Sequence, residues 1–358
     1  AALADPSVIL AGQTPHLIDE WQLVPDVWNA VRSAVDDRQA SGQFILTGSA
    51  TPTEDVTRHT GAGRFARVQM MPMSLREQGQ STGAVSLEAL FNGKPFSSAG
   101  PELDLNGVAE LLCRGGWPGN LNRDLSDVLN ANRDYLATIA GTDIVTIDGI
   151  RRDPRKVAAL LFALARNAGT YVTSRTLQGD ITREGQKLAS KTLDSYLDAL
   201  ARLWVYVEQP AWGQHMRSSA QVRRAPKRHL VDPSLAVAAM GTTPKALLAD
   251  PEAFGQLFES LVFRDLSVYA QAIDARVFAY QDTTGEFDAV VVRGDQWLGI
   301  EVKLSGRPEV IDFAAAGLVH LASRMRTPPT ALTVITATGP AYRRKDGVHV
   351  TSILDLGP

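Results

Sequence analysis

The chain has 358 residues, 44% of them hydrophobic and 21% charged, with a formal net charge of −3. That balance is ordinary for a soluble globular chain of two or three domains, and it excludes a polybasic nucleic-acid binder; any such contact needs a local patch. The single cysteine, Cys113, excludes a disulfide framework and a cysteine-built zinc site, and it fits a reducing cytoplasm.

The histidines are scattered without metal-ligand spacing, and no apolar run is long enough to span a membrane. The expected setting is therefore cytoplasmic, with no membrane partner.

In chain order, HLIDE reads as a strand, PDVWNAVRSAVDD as a helix, GQFILTGSA as a buried strand ending in small residues, and ARVQMMPMSL as a further strand-like run. Strand, helix and strand in succession predict a mostly parallel α/β sheet. Residues 79–105 are polar and read as a connector. Residues 106–150 are helical in pattern, broken by RGGWPGN at 114–120, where Trp117 and Pro118 suggest a tight turn packed under an aromatic ring.

The character then changes. PRKVAALLFALARNAG, SRTLQGDI and ASKTLDSYLDALARLW predict three helices, and VYVEQPAW a strand, the element order of a winged helix. Beyond them the pattern returns to α/β. GQLFESLVFRDLSVYAQAI is a helix, RVFAYQ, FDAVVV and WLGIEVKL are strands, and PEVIDFAAAGLVHLASRM is a helix before the closing strands ALTVIT and GVHVTSIL. The expected domains are 1–105, α/β; 106–150, a helical connector; 151–235, a winged helix; and 236–358, a second α/β domain.

Three groups of residues carry chemistry. LIDEWQ places Asp19 and Glu20 at the end of a strand, and FILTGSA ends the next strand in Thr47, Gly48 and Ser49, with Arg64 beyond. These are parts of a nucleotide-hydrolysing site. Asp19 would hold magnesium, Glu20 would orient the attacking water, and Thr47 or Ser49 would sense the γ-phosphate. Arg64 would neutralise transition-state charge, across a subunit interface if the protein forms a homo-oligomer. No G-x-x-x-x-G-K-[ST] phosphate loop occurs in the chain. The expectation is that this loop lies before Ala1; the rival is a degenerate ATPase that lacks it.

EFDAVVVRGDQWLGIEVK supplies the second group. Asp288 stands on one strand, and Glu301 and Lys303 flank Val302 on the next, so that both point to one face. D-x12-E-x-K is the pattern by which PD-(D/E)xK nucleases hold magnesium, with Glu259 in the preceding helix as an additional acid. A restriction-endonuclease-like fold with a magnesium site is expected. Glu286 and Asp288 are read as pointing to opposite faces of their strand.

The third group is MRSSAQVRRAPKRHL, with Arg217, Arg223, Arg224, Lys227 and Arg228 and no acid. It reads either as a wing along the phosphate backbone of duplex DNA or as a surface for a protein partner. Ser190, Lys191, Thr192 and Ser195 on the third helix would face the major groove if DNA is bound.

LIDEWQ, FILTGSA and GRFARVQMMPMSLRE, followed by RGGWPG and PKRHLVDPSLA, occur in the order seen in AAA-type ATPases that carry a C-terminal domain of unknown function. The chain resembles that family (AAA_14 with DUF4143) over essentially its whole length. The resemblance implies that the intact protein uses ATP and magnesium to switch C-terminal modules that engage DNA or a protein partner, with the ATP site incomplete here. The alternatives are a metal-dependent nuclease regulated by the ATPase, and a non-enzymatic, antitoxin-like or scaffold protein.

Overall fold

Two short parallel strands, His16–Ile18 (β1) and Phe44–Leu46 (β2), flank the helix Val27–Arg38 (α1). The computed structural model describes residues 5–49, 62–100, 102–213 and 225–358. α1 turns Val27, Trp28 and Val31 inward and ends where Gln39 takes a left-handed conformation. A small apolar cluster of Leu10, Ile18, Val27 and Val31 holds this unit together. Trp28 lies flat on Phe65 with ring centres 3.9 Å apart.

β2 is not the buried strand its composition suggests. Ile45 is 51% exposed and its cross-strand neighbour Leu17 is 60% exposed, because among the described residues nothing packs on that face of the two-stranded sheet. The run from 66 to 75 forms no strand; it passes over the surface with Val68 and Met70 exposed until the Met73 amide donates to the Gly116 carbonyl.

The polar stretch 79–105 is more than a connector. Val85–Ser86 (β3) pairs in parallel with Leu356–Gly357, which we label β12, and Leu87–Phe91 (α2) follows it into the core. Ser86 caps α2 by accepting from the Ala89 amide.

The middle of the chain is helical: Leu105–Arg114 (α3), Leu125–Thr138 (α4), Ile144–Thr146 (α5), Pro154–Arg166 (α6), Ser174–Arg183 (α7) and Ser190–Arg202 (α8). Tyr206–Gln209 (β4) and Lys227–Leu230 (β5) follow as an antiparallel pair. Three further helices, Pro233–Met240 (α9), Pro244–Ala249 (α10) and Pro251–Ala272 (α11), each begin with proline one residue after a capping Asp or Thr. α9 is apolar on nearly every side and runs through the core, packed on α3, α4 and α6.

The C-terminal sheet contains Arg276–Gln281 (β6), Glu286–Arg293 (β7), Gln296–Lys303 (β8), Ala331–Thr336 (β9), Tyr342–Arg343 (β10) and His349–Ser352 (β11). β6, β7 and β8 form an antiparallel meander, and helix Pro308–Ser323 (α12) then carries the chain over to β9, parallel to β8. The spatial order is β10-β11-β9-β8-β7-β6. α/β is therefore the class, with a long core running from Leu75 through the helices to Leu356 and a further one around Phe287, Trp297 and Leu318. Among the described residues no helix is long and apolar enough to cross a membrane.

Segments far apart in sequence meet at Arg264 on α11. Its guanidinium pairs with Asp232 at 2.8 Å and Asp265 at 2.6 Å, all three side chains being at most 1% exposed. Asp232 also caps α9 and accepts from the Gly116 amide, while Asp265 accepts from the Leu75 amide and the Tyr269 hydroxyl. Trp117 donates its indole N–H to Ser234 at 3.0 Å. The sequence stretches PMSLRE, RGGWPG and VDPSLA are thus parts of one buried polar knot. A charge here without partners would be costly, so each carboxylate is saturated.

Candidate functional site

Two clusters of candidate residues form, at opposite ends of the sequence. The first stands at the carboxyl ends of β1 and β2. Asp19 accepts from the Thr47 hydroxyl at 2.5 Å, and Glu20 accepts from the Ser49 hydroxyl at 3.1 Å and from Gln22. The strand ladder continues past β1, with the Trp21 amide donating to the Thr47 carbonyl at 3.1 Å. Glu20 has a φ of 49°, a left-handed conformation that costs a side-chain-bearing residue about 1 kcal/mol. That turn folds its carboxylate back toward Ser49. The carboxyl ends of parallel strands are where α/β sheets bind ligands.

Asp19 is exposed and Glu20 half-buried, so both can reach a ligand in solvent. Two carboxylates thus stand together at the strand ends, and the chain has no G-x-x-x-x-G-K-[ST] motif. Arg64 does not join Asp19 and Glu20. Its Nε donates to Asp36 on α1 at 2.9 Å, at the rim of a cleft of about 380 Å³ lined also by Phe44, Leu46 and Phe65.

The second cluster lies where β5, α11, β7 and β8 meet. Asp288 is buried on β7, and one residue beyond the Ala289–Ile300 pair the β7–β8 register sets it across from Glu301. Lys303 donates to Glu301 at 2.6 Å. Glu259 projects from α11 toward the same place. The residue that the D-x12-E-x-K pattern missed is Lys227, whose Nζ lies 2.5 Å from Glu259 and 3.4 Å from Asp288. It sits 61 positions before Asp288 in sequence, so no local spacing flags it. Its basic neighbours made it look like a surface cation. It is 2% exposed.

Glu286 also faces this cluster. Residues two apart on a strand share a face, so the expected opposition of Glu286 and Asp288 is corrected. Both charges act on Lys227. Burial and then the charge of Asp288 push Glu301 up to about 7 and also raise Glu259. Burial opposes the charge on Lys227, but Asp288 first and then Glu259 outweigh it and hold the ammonium above its ordinary range.

A divalent ion does not fit here. Asp288 Oδ1 is with Lys227 and Oδ2 accepts from the Val302 amide at 2.8 Å, while one oxygen of Glu259 and one of Glu301 are held by Lys227 and Lys303. Among the described residues no group of three or more His, Cys, Asp or Glu side chains is arranged to hold a metal.

A polar chain supports the cluster from behind. His229 on β5 bonds Ser260 through Nδ1 at 2.9 Å and Gln209 through Nε2 at 3.1 Å, and it stacks on Phe263. Gln209 in turn donates to the Asp288 and Phe278 carbonyls, each at 2.9 Å. Burial, and then the charge of Lys227, lower His229 to about 3, so it is neutral at physiological pH.

The basic segment is only partly described. Arg217, Arg223 and Arg224 lie outside the described residues. Lys227 is internal, and Arg228 is 8% exposed, near Glu208 at 3.9 Å and over the Tyr206 ring. Neither is presented to a phosphate backbone. On α8, Ser190 and Lys191 are exposed, Thr192 is half-buried, and Ser195 accepts from Arg152 at 3.3 Å.

Compared with known proteins, residues 3–78 match an AAA domain, residues 105–246 a domain of unknown function (DUF8612), and residues 254–356 a domain of unknown function (DUF4143). The chain is 24% identical over 322 residues to an uncharacterized protein of Mycobacterium tuberculosis and, to the same degree, to one of Mycobacterium bovis. The aligned stretch covers 89% of this chain and 65% of each relative's length. No solved structure matches.

Proposed function

Because this chain is an AAA-type, ATPase-like protein with a DUF4143 domain at its C-terminal side, we propose that the intact protein is an ATP-driven switch whose C-terminal modules engage a protein partner. The observation that carries this reading is the pairing of Asp19 with Thr47 and Glu20 with Ser49 at the carboxyl ends of two parallel strands. In that role Asp19 would hold a magnesium ion through its water shell, Glu20 would orient the attacking water, and Thr47 or Ser49 would sense the γ-phosphate. The phosphate cradle would come from beyond these residues. The exposed Leu17 and Ile45 support this, since a complete AAA-type sheet covers both of its faces.

The downstream modules follow from element order. α6, α7 and α8 with the β4–β5 pair would act as a winged-helix module, and α11, β6, β7, β8, α12 and β9 as a restriction-endonuclease-like module. A protein partner is favoured over DNA because Lys227 and Arg228 spend their charge internally. Duplex DNA is the second reading, favoured by Ser190 and Lys191 standing exposed at the start of α8.

The test is nucleotide turnover in a protein that carries a phosphate loop ahead of these residues. ATP hydrolysis is expected, and Glu20→Gln should retain bound ATP while losing turnover. Hydrolysis unchanged in Glu20→Gln would reject the assignment. A mobility shift on duplex DNA that fades steeply with salt and weakens in Lys191→Ala would favour the second reading.

A further inference from the structure

We propose that the Lys227 ammonium is the resident cation of the C-terminal carboxylate cluster, standing between Glu259 and Asp288 where a divalent ion would bridge them. The cluster is then a charge-compensated joint between the helical region and the C-terminal sheet, and not a metal site.

The geometry carries this in three ways. First, the position is taken. An ion such as magnesium needs about six oxygens at about 2.1 Å, yet an ammonium already lies 2.5 Å from Glu259 and 3.4 Å from Asp288. Second, the strand that carries the lysine is held in place. Lys227 emerges from β5, where it is paired with Gln209 on β4, and the Gln209 side chain is bonded to the carbonyls of Phe278 and Asp288. His229, two residues on, is tied to Gln209 and to Ser260 of α11. The Tyr171 ring lies 5.3 Å from the ammonium. Third, the second oxygen of Asp288 is turned onto the Val302 amide, so both of its oxygens are engaged by protein groups. Glu301 has its own cation in Lys303.

Lys227 belongs to the stretch that matches one domain of unknown function, while Glu259, Asp288 and Glu301 belong to the stretch that matches another. The joint is therefore made across the two. It gives the acids of the D-x12-E-x-K pattern a role without nuclease chemistry: the buried lysine requires them as counter-charges.

The test compares thermal unfolding of the wild-type chain, Lys227→Met, and Lys227→Met combined with Asp288→Asn, with and without millimolar magnesium or manganese. The wild-type melting temperature should show no metal response that Asp288→Asn removes. Lys227→Met should lower it by roughly 10 °C, as expected for carboxylates left facing each other without their partner. Adding Asp288→Asn should recover part of that loss, and this holds also if Lys227→Met alone does not fold. A manganese-dependent rise confined to Lys227→Met would add support, because vacating the ammonium opens the space. A metal-dependent rise in the wild type that Asp288→Asn abolishes would overturn the proposal. So would a Lys227→Met protein as stable as the wild type, or a double variant no more stable than the single one.

Discussion

Arg264 and Asp232 form an ion pair at 2.8 Å with both side chains essentially out of solvent. Through it the start of α9 is tied to the middle of α11, and the bond from the Gly116 amide to Asp232 draws in the turn after α3. With Asp265 holding the Leu75 amide, this one guanidinium joins the end of the N-terminal unit to the rest of the chain.

Truncating Arg264 should therefore cost far more than a surface arginine would. Arg264→Ala leaves two buried carboxylates without their cation, and about 3–5 kcal/mol of stability should be lost. Urea denaturation measures it. Arg264→Lys keeps the charge but cannot fork to both acids, so it should fall between the two. A loss below about 1 kcal/mol for Arg264→Ala would remove the knot from any account of the fold.

The adjacent glycines of RGGWPG should be separately required. A Cβ on Gly115 would lie 2.2 Å from the Ser234 hydroxyl at a φ of 74°, and one on Gly116 would lie 2.3 Å from the Met73 carbonyl oxygen. The Met73 atom is backbone and cannot rotate away. Gly116→Ala and Gly115→Ala should each destabilise by about 1–3 kcal/mol. Gly119→Ala, with open space around it, should stay within about 0.5 kcal/mol of wild type. Equal effects at all three positions would contradict this packing.

His229 should impose an acid limit on stability. Its ordinary value is 6.5 and the folded chain holds it near 3, so between those values the unfolded chain binds more protons. Its stabilising contribution is fully present above 6.5 and is lost as pH falls toward 3. In His229→Gln, which keeps hydrogen-bonding groups but does not titrate, stability should fall less steeply between pH 6.5 and 4. Melting curves of the two proteins across that range decide it; parallel curves would mean that His229 does not titrate differently on folding.

Nucleotide binding should be weak in the 358-residue chain by itself. With the acidic pair present and no phosphate-loop motif in the sequence, ATP should bind no tighter than roughly millimolar, about 4 kcal/mol of binding free energy. Isothermal titration or a fluorescent ATP analogue would measure it. Micromolar affinity would show that these residues build a phosphate cradle of a different kind.

Local pattern determined much of this protein. Helical spacing of apolar residues marked α6, α8, α11 and α12, and β-rich runs marked β6 to β9, because periodicity reports which face a segment buries. The acids Asp19, Glu20, Asp288 and Glu301 were legible for a similar reason: each stands at a set place relative to a strand. What the pattern could not decide was how completely a segment is covered. GQFILTGSA has the composition of a buried strand, yet Ile45 is half exposed, since burial depends on what packs against a sheet and not on its own residues. The same limit governs Lys227. In sequence it is one cation in a basic run, and only the pairing of β5 with β4, laid beside α11 and β7, carries it into a pocket of carboxylates. A charge's role is set by the dielectric and the partners around it. For Lys227 the partners Glu259 and Asp288, and for Arg264 the partner Asp232, come from segments 32 to 61 residues away, which the chain brings together only by folding.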